Sequence, residues 1–567
     1  MEEIKQKVVG LIDKQVKLDK KAIDKMVEVP PSPYMGDYAF PCFALSKELK
    51  KNPAEIAKEL AETIQPNEIV KEIRSLGPFL NFFLNKQKVA EDIIKKILNK
   101  KEKFGRAEGK GTYLIEYPGP NTNKPLHLGH VRNMVLGSSL IKIFDNIGKK
   151  VIPINIVNDR GVHICKSMLA YKKWGGDDTP EKSNMKSDFF VGKYYVLYSQ
   201  KEKENPDLDK EIKEMLVLWE KGDPETIKLW KKMNKWALDG FNETYKTFDV
   251  KPDKEYFESD TYKLGREIVI EGLKKGLFEK DENGAVVIDL TKEGYDKKVL
   301  LRPNGTTVYM TQDIYLAKLR YEDYKFDKMI YVVATEQNYH FNVLFKILEK
   351  LEYPFADKCY HFAYGMVNLT TGKMKSREGN VVDADTIVNE VVDLARKETK
   401  ERHPEISEKD LEKRAKMIAM AAIRFYLIKF DAIKDFTFDP KESISFEGET
   451  GPYVQYAHAR ICSILRKAGE FKVGNFELLK SKEAGKLIIL LGNYKKIVQK
   501  AADDYKPHII ARYLIELAQT FNEFYVKCPI VKEEDELKNA RLSLISAIKQ
   551  VIANGLSLLS IDAPDEM

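Results

Sequence analysis

Two histidines, His127 and His130, bracket Gly129 just after a loop rich in Pro, Gly and Asn, in a chain with only eight histidines among 567 residues. Two imidazoles at that spacing can both donate toward a polyphosphate if they open a helix, because unpaired backbone N–H groups and the positive end of the helix dipole favour the same anion. The glycine leaves room for a flat base against the backbone. The competing use of such a pair is capping, or packing at a core edge. Downstream, Gly372 to Asn380 carries Lys373, Lys375 and Arg377 between glycines, together with Met374 and Ser376. That is a basic loop suited to polyphosphate, although most Lys/Arg-rich loops are solvated surface.

These residues need elements to hold them. Residues 112 to 117 have strand composition. After His130 the apolar residues Val131, Met134, Val135, Leu140, Ile141 and Phe144 recur at helical spacing up to Gly148, and a strand follows at Val151. A strand, loop, helix and strand in that order open a parallel α/β sheet, which binds its ligands beyond the carboxyl ends of its strands. Glu116 stands at such an end. The sheet is expected to resume at Val299, where residues 299 to 313 read as a hairpin passing into a helix, and 329 to 334 as a buried strand. Tyr309, Asp313 and Gln337 then gather past strand ends, unless they serve only as turn formers and caps.

At 567 residues the chain is too long for one core, so three or four domains are expected. Apolar residues at 43% and charged residues at 32% indicate a soluble protein rich in solvated helix, and a net charge of +7 is compatible with an anionic partner. No apolar run approaches the roughly 18 residues of a membrane span. The first residues lack a signal-peptide pattern, so a cytoplasmic protein is expected. Cys42, Cys165, Cys359, Cys462 and Cys528 are scattered, which argues against a disulfide framework and a structural zinc site.

Residues 1–105 read as an α+β module. Residues 106–440 read as a Rossmann-like parallel-sheet domain, interrupted at about 166–298 by a mostly helical insertion with Trp174, Trp219, Trp230 and Trp236. Residues 441–567 read as an all-α helical bundle. Within it Tyr453, Gln455 and Tyr456 are expected on an exposed helical turn, where they can stack on and bond to unpaired RNA bases; a tyrosine pair at that spacing also fits a helix core.

The stretch His127-Leu128-Gly129-His130 resembles the HIGH element of class I aminoacyl-tRNA synthetases, and Glu116 to His127 resembles the arginyl-tRNA synthetases in particular. Gly372 to Asn380 is similar to the second class I element, usually Lys-Met-Ser-Lys-Ser, but has Lys375 third and Ser376 in place of the second lysine. Arginyl enzymes with such a loss carry a lysine before the first histidine, and Lys124 occupies that place. The resemblance covers essentially the whole chain.

It implies activation of L-arginine by ATP, arriving with Mg²⁺ and without zinc, followed by transfer of arginine to the terminal ribose of tRNA(Arg) by a monomeric enzyme. It implies that Lys124, His127, Gly129, His130 and the 373–377 loop serve the phosphates. Asp313 and Tyr309 would face the guanidinium, with Gln337 nearby, and Glu116 and Asn121 would hold the amino-acid end or its pocket. Asn81 would touch the tRNA elbow, and Tyr453, Gln455, Tyr456, Tyr525 and Met567 would lie in the anticodon-binding domain. No Ser-His-Asp or Cys-His pattern supplies a nucleophile, and none is needed, since the attacking carboxylate is already ionised at neutral pH. The rival readings are a synthetase for another amino acid, a small-molecule nucleotidyltransferase and a non-catalytic RNA-binding relative.

Overall fold

In the computed structural model, which describes residues 1–369 and 382–567, the first unit is built on a hairpin. Strands β1 (Tyr38–Pro41), β2 (Val70–Leu76) and β3 (Phe79–Leu84) form an antiparallel sheet in the order β1-β3-β2. Gly77, at φ +59°, makes the β2–β3 turn that an L side chain would strain. Helices Glu2–Asp13 and Lys86–Lys100 share the core of Val8, Ile12, Phe40, Leu80, Phe82 and Ile94 with the sheet. This is the expected α+β module. Asn81, however, pairs with Ala39 on one side and Arg74 on the other, is 2% exposed, and donates to the Phe79 carbonyl at 3.1 Å. A polar residue on the central strand of a covered sheet satisfies itself locally, so its side chain is not on the open surface that a tRNA contact needs.

The central unit holds β4 (Thr112–Glu116), β5 (Lys150–Val157), β6 (Lys254–Phe257), β7 (Glu279–Lys280), β8 (Val286–Ile288), β9 (Lys298–Leu301), β10 (Lys328–Ala334) and β11 (Cys359–Tyr364). Five of these make one parallel sheet in the order β11-β10-β4-β5-β6. Alternate residues feed opposite faces: Ile115, Ile330 and Val332 pack with the Leu128–Asn146 helix, whereas Leu114, Met329 and Tyr331 pack with helices Tyr309–Tyr324 and Asn338–Lys350. Burial on both faces explains the nearly continuous apolar runs. The strand order reverses between β4 and β10, where an open parallel sheet leaves its crevice.

Two expectations change here. The helices of the insertion, Val162–Trp174, Ser187–Glu204, Leu208–Lys221 and Pro224–Phe248, end well before 298, because β6 returns to the main sheet. That strand has four residues, two of them charged, as befits an exposed edge, and so lacks an apolar signal. Strand β9, in turn, does not resume the parallel sheet; it pairs antiparallel with β8 in a separate three-stranded sheet with β7. The expected hairpin after it is one bridge, Leu301 to Thr307, and the chain turns helical at Tyr309.

Strands β12 (Val367–Leu369) and β13 (Phe436–Phe438) pair in parallel and tie the central unit to the approach to the bundle. Buried Arg132 reinforces this joint by donating to the carbonyls of Gly365, Ala432 at 2.8 Å and Lys434 at 3.0 Å. Helix Glu408–Ile428 leads to the bundle of helices Gly451–Ala468, Lys482–Asp503, His508–Lys527 and Asp535–Leu558. Tyr505 stacks on Tyr360 of β11 at 4.4 Å and meets Phe144 at 5.5 Å, which seats the bundle on the sheet domain. Among the described residues no helix is long and apolar enough to cross a membrane.

Candidate active site

His127 is the N-cap of the Leu128–Asn146 helix: its Nδ1 accepts the Gly129 N–H at 3.1 Å, and His130 Nδ1 accepts the His127 N–H at 3.1 Å. The capping use and the phosphate use therefore coincide. With both Nδ1 atoms accepting, each ring must carry its proton on Nε2. Burial, with Lys124 nearby, pushes the His127 pKa down to about 3 and holds His130 well below the ordinary histidine range. Both are thus neutral N–H donors at neutral pH. Lys124 is half-buried, and burial lowers its pKa.

Gly129 has a reason beyond room for a base. A Cβ there would lie 2.9 Å from His127 Cε1 and 3.1 Å from its Nδ1. Gly129→Ala is expected to turn the His127 ring and cut the rate of any phosphate chemistry the two imidazoles support about a hundredfold, since a displacement near 1 Å has that cost. Thermal melting should barely move, and an active Gly129→Ala enzyme would refute the constraint.

Lys373, Met374, Lys375, Ser376 and Arg377 lie outside the described residues. Past them, Asp383 forms an antiparallel bridge with His127, Ala384 N–H donates to the Leu126 carbonyl at 2.8 Å, and Asp383 caps helix Ala384–Arg402.

The loop after β4 extends the β4–β5 pairing. Asn121 bridges to Asn158, and Gly119 N–H donates to Asn155 Oδ1 at 3.1 Å. Thr122 is hydrogen-bonded to Asn234, whose amide donates to the Asp159 carbonyl at 3.1 Å, so an insertion helix staples this loop.

Across the crevice, Tyr309 begins helix Tyr309–Tyr324 at 66% exposure, and Asp313 follows one turn later on the same face. Asp313 Oδ2 lies 2.6 Å from His340 Nε2. Gln337 ends an exposed 3₁₀ turn directly after β10. Tyr309 and Asp313 thus share one helix face, and His340, three residues after Gln337, ties that face to the turn after β10.

Glu116 behaves differently. It is buried in an ion pair with Arg320, whose guanidinium lies over the Tyr256 ring at 5.1 Å and the Tyr331 ring at 5.8 Å. Burial works against the Arg320 charge, but Glu116 leaves its pKa above the ordinary value. Of the two places expected for Glu116, the amino-acid end or its pocket, the ion pair favours the pocket: Glu116 is neutralised from within and braces the wall. Arg320→Ala should destabilise the fold by about 3–5 kcal/mol by stranding that carboxylate, while replacing both partners with apolar residues should cost far less. Denaturant titration of the single and double variants distinguishes the two cases.

The second acid at the crevice is Glu258, which the sequence reading missed. It is 4% exposed, with Arg160 at 3.9 Å, and burial pushes its pKa up to about 7, with Asp159 and Asp313 adding to the rise. It follows edge strand β6, whose four residues, two of them charged, carry no apolar or alternating signal. Asp159 fixes this junction by accepting Ser259 N–H at 2.8 Å and its hydroxyl at 2.6 Å. A Cβ on Gly161 would stand 4.0 Å from the Tyr309 hydroxyl, so the two sides of the crevice meet here.

The remote residues divide by helix face. Gln455 is fully buried and donates to the Asp562 carbonyl at 2.8 Å; His458, one turn on, hydrogen-bonds the Pro564 carbonyl at 2.8 Å. Gln455 thus pins the chain end and is unavailable to bases, contrary to expectation, because 451, 455, 458 and 462 share one face. Tyr453, Tyr456 and Arg460 share the other. The Arg460 guanidinium lies over the rings of Tyr456 at 4.6 Å and Tyr525 at 5.4 Å. These two tyrosines and Met567 line a groove of about 1100 Å³ with Arg402, Arg414 and Arg466. Among the described residues, His458, Cys462 and Asp565 bring three potential metal ligands within 4.8 Å, a Cys/His neighbourhood that the scattered cysteines did not reveal.

Residues 2–84, 93–440 and 454–567 match, in order, the families described as arginyl tRNA synthetase N terminal domain, tRNA synthetases class I (R) catalytic domain, and DALR anticodon binding domain. An arginine–tRNA ligase of Treponema denticola is 46% identical over 94% of this chain and 93% of its own length. One of Parabacteroides distasonis is 42% identical over all of both chains. The solved Thermus thermophilus arginyl-tRNA synthetase superposes with a TM-score of 0.82 at 28% identity, covering 100% of this chain and 99% of that one. With the HIGH-type helix at the switch point of a parallel sheet and all three units present in order, the chain belongs to the arginyl-tRNA synthetase family of class I aminoacyl-tRNA synthetases.

Proposed function

We propose that the protein activates L-arginine with ATP, presented as its Mg²⁺ complex, to arginyl-adenylate and pyrophosphate, and then transfers arginine to the 3′-terminal ribose of tRNA(Arg), as a cytoplasmic monomer. The observation that carries this reading is a pair of neutral imidazole donors opening the helix after β4, at the switch point of the parallel sheet, with Asp313 acting electrostatically on both Glu116 at the end of β4 and Glu258 after β6. The guanidinium is a permanent cation with a planar fork of donors, and a carboxylate that accepts two of them binds it better than it binds an ammonium. Asp313 takes that role with Tyr309 at its side and Gln337 at the rim, while Asn121 lies toward the amino-acid end. His127 and His130 donate to the phosphates, assisted by Lys124 and the 373–377 segment. Positioning of carboxylate against α-phosphate and stabilisation of the departing pyrophosphate supply the catalysis.

Tyr456, Arg460, Tyr525 and the basic groove around them form the RNA-facing side of the bundle. Arg460→Ala is expected to raise KM for tRNA and to lower the salt dependence of tRNA binding by about one unit of slope, with arginine and ATP constants unchanged. An unchanged slope would remove Arg460 from the RNA surface.

The decisive test is ATP–pyrophosphate exchange with each of the twenty amino acids, with and without tRNA. Exchange confined to arginine supports the reading, whereas exchange driven by another amino acid, or by none, overturns it.

A further inference from the structure

Asp313 is not a bare carboxylate. His340, from the first turn of helix Asn338–Lys350, reaches across to helix Tyr309–Tyr324 and sets its Nε2 2.6 Å from Asp313 Oδ2. Both side chains are about a third exposed, at 28% and 32%, so both face the crevice. A guanidinium arriving at Asp313 therefore meets an oxygen already engaged by a titratable cation. Resting on the reading of Asp313 as the guanidinium's partner, we propose that His340 is a resident cation that arginine displaces, so that arginine binding releases a proton and His340 sets which side chains the pocket accepts.

The charges balance simply. The pair enters as imidazolium and carboxylate. Guanidinium cannot lose its proton in this range, so two cations would compete for one carboxylate. The imidazolium is the one that can yield: its proton goes to solvent, neutral His340 remains, and Asp313 becomes free to accept the bidentate fork. No bond forms or breaks beyond that N–H.

The surroundings favour a protonated start. Burial and Lys298 of β9 oppose the charge on His340, but the hydrogen bond and charge of Asp313 outweigh them and leave its pKa above the ordinary histidine value. His361 of β11 stacks on the Phe341 ring beside it at 4.4 Å, and its own pKa is lowered by burial with His340 adding to the effect. On the far side of Asp313 stand Glu116, neutralised by Arg320, and Glu258. A neutral isostere such as citrulline offers no permanent charge with which to expel the proton, so the Asp313–His340 pair stays intact and the isostere is rejected. Selectivity then comes from the pair as much as from the carboxylate.

The test is calorimetric titration of L-arginine into the full chain, with tRNA present, in two buffers of different ionisation enthalpy. The expected result at about pH 6.5 is release approaching one proton per arginine, falling toward zero by about pH 9. Over the same range KM for arginine should fall by up to about tenfold per pH unit until the imidazole is deprotonated, while KM for ATP does not follow it. His340→Gln should abolish both effects and narrow the preference for arginine over citrulline. Glu258 titrates nearby, so Glu258→Gln serves as the control and should retain most of the release. Absence of release in the wild-type chain overturns the proposal without any variant, as does release that survives His340→Gln and disappears in Glu258→Gln. If Asp313→Ala binds arginine as tightly as the wild type, the underlying reading of Asp313 has failed instead.

Discussion

Replacing Asp313 by alanine is expected to weaken arginine binding by about two to three decades while leaving ATP binding nearly unchanged. The guanidinium enters a crevice partly shielded from water, where a charge without a partner is costly. Removing one member of a charge-assisted buried pair costs roughly 3–5 kcal/mol, which converts to two to three decades in affinity and more. Asp313 sits on helix Tyr309–Tyr324, whereas the histidine element caps helix Leu128–Asn146 on the opposite face of the sheet. The two proposed binding roles thus fall on separate helices. Glu116 cannot substitute, because Arg320 already holds it, and Glu258 lies beside Arg160. Asp313→Asn should recover less than a tenth of the loss, since the amide keeps an acceptor but not the charge. Measured constants for arginine and ATP in both variants decide the matter: equal loss of both substrates would remove Asp313 from guanidinium recognition.

His130→Ala is expected to lower the rate of adenylate formation by about 10²–10³ with little change in KM for arginine. His130 Nδ1 is committed to the His127 N–H at 3.1 Å, so its Nε2–H is the group left to donate. Loss of one preorganised donor to developing negative charge costs that much in other acyl- and phosphoryl-transfer sites. The variant also orphans a helix N-terminal N–H, worth about 1 kcal/mol of stability, which is too little to unfold the domain. Because burial keeps His130 neutral and puts the His127 pKa at about 3, neither ring titrates between about pH 6 and 9. Their contribution to the rate should be flat over that range. Single-turnover adenylate formation measures it, and a change confined to KM would count against the assignment.

The parts of the site that were legible in the sequence are those with local causes. The histidine element declares itself because capping, helix start and donor spacing lie within four consecutive residues. The helix that starts at Tyr309 was legible as a local pattern, although the strand before it, β9, lies outside the parallel sheet, and the roles of Tyr309 and Asp313 came from the family resemblance. Glu258 escaped because its strand is short, charged and at an edge, so that neither hydrophobicity nor alternation marks it. Gln455 was misplaced because helical periodicity gives the faces of a helix without saying which one a chain end more than a hundred residues away will cover.

The sequence by itself determined the fold class, the order of the three units, the helix that carries His127 and His130, and the family, since each rests on short-range pattern or on contiguous similarity. Only the tertiary structure decided which acids are open and which are neutralised. Glu116 and Asp313 are alike as residues, yet one is closed by Arg320 and the other is shared with His340. Charge state, burial and partner are properties of atoms brought together from distant segments, and a linear pattern does not contain them.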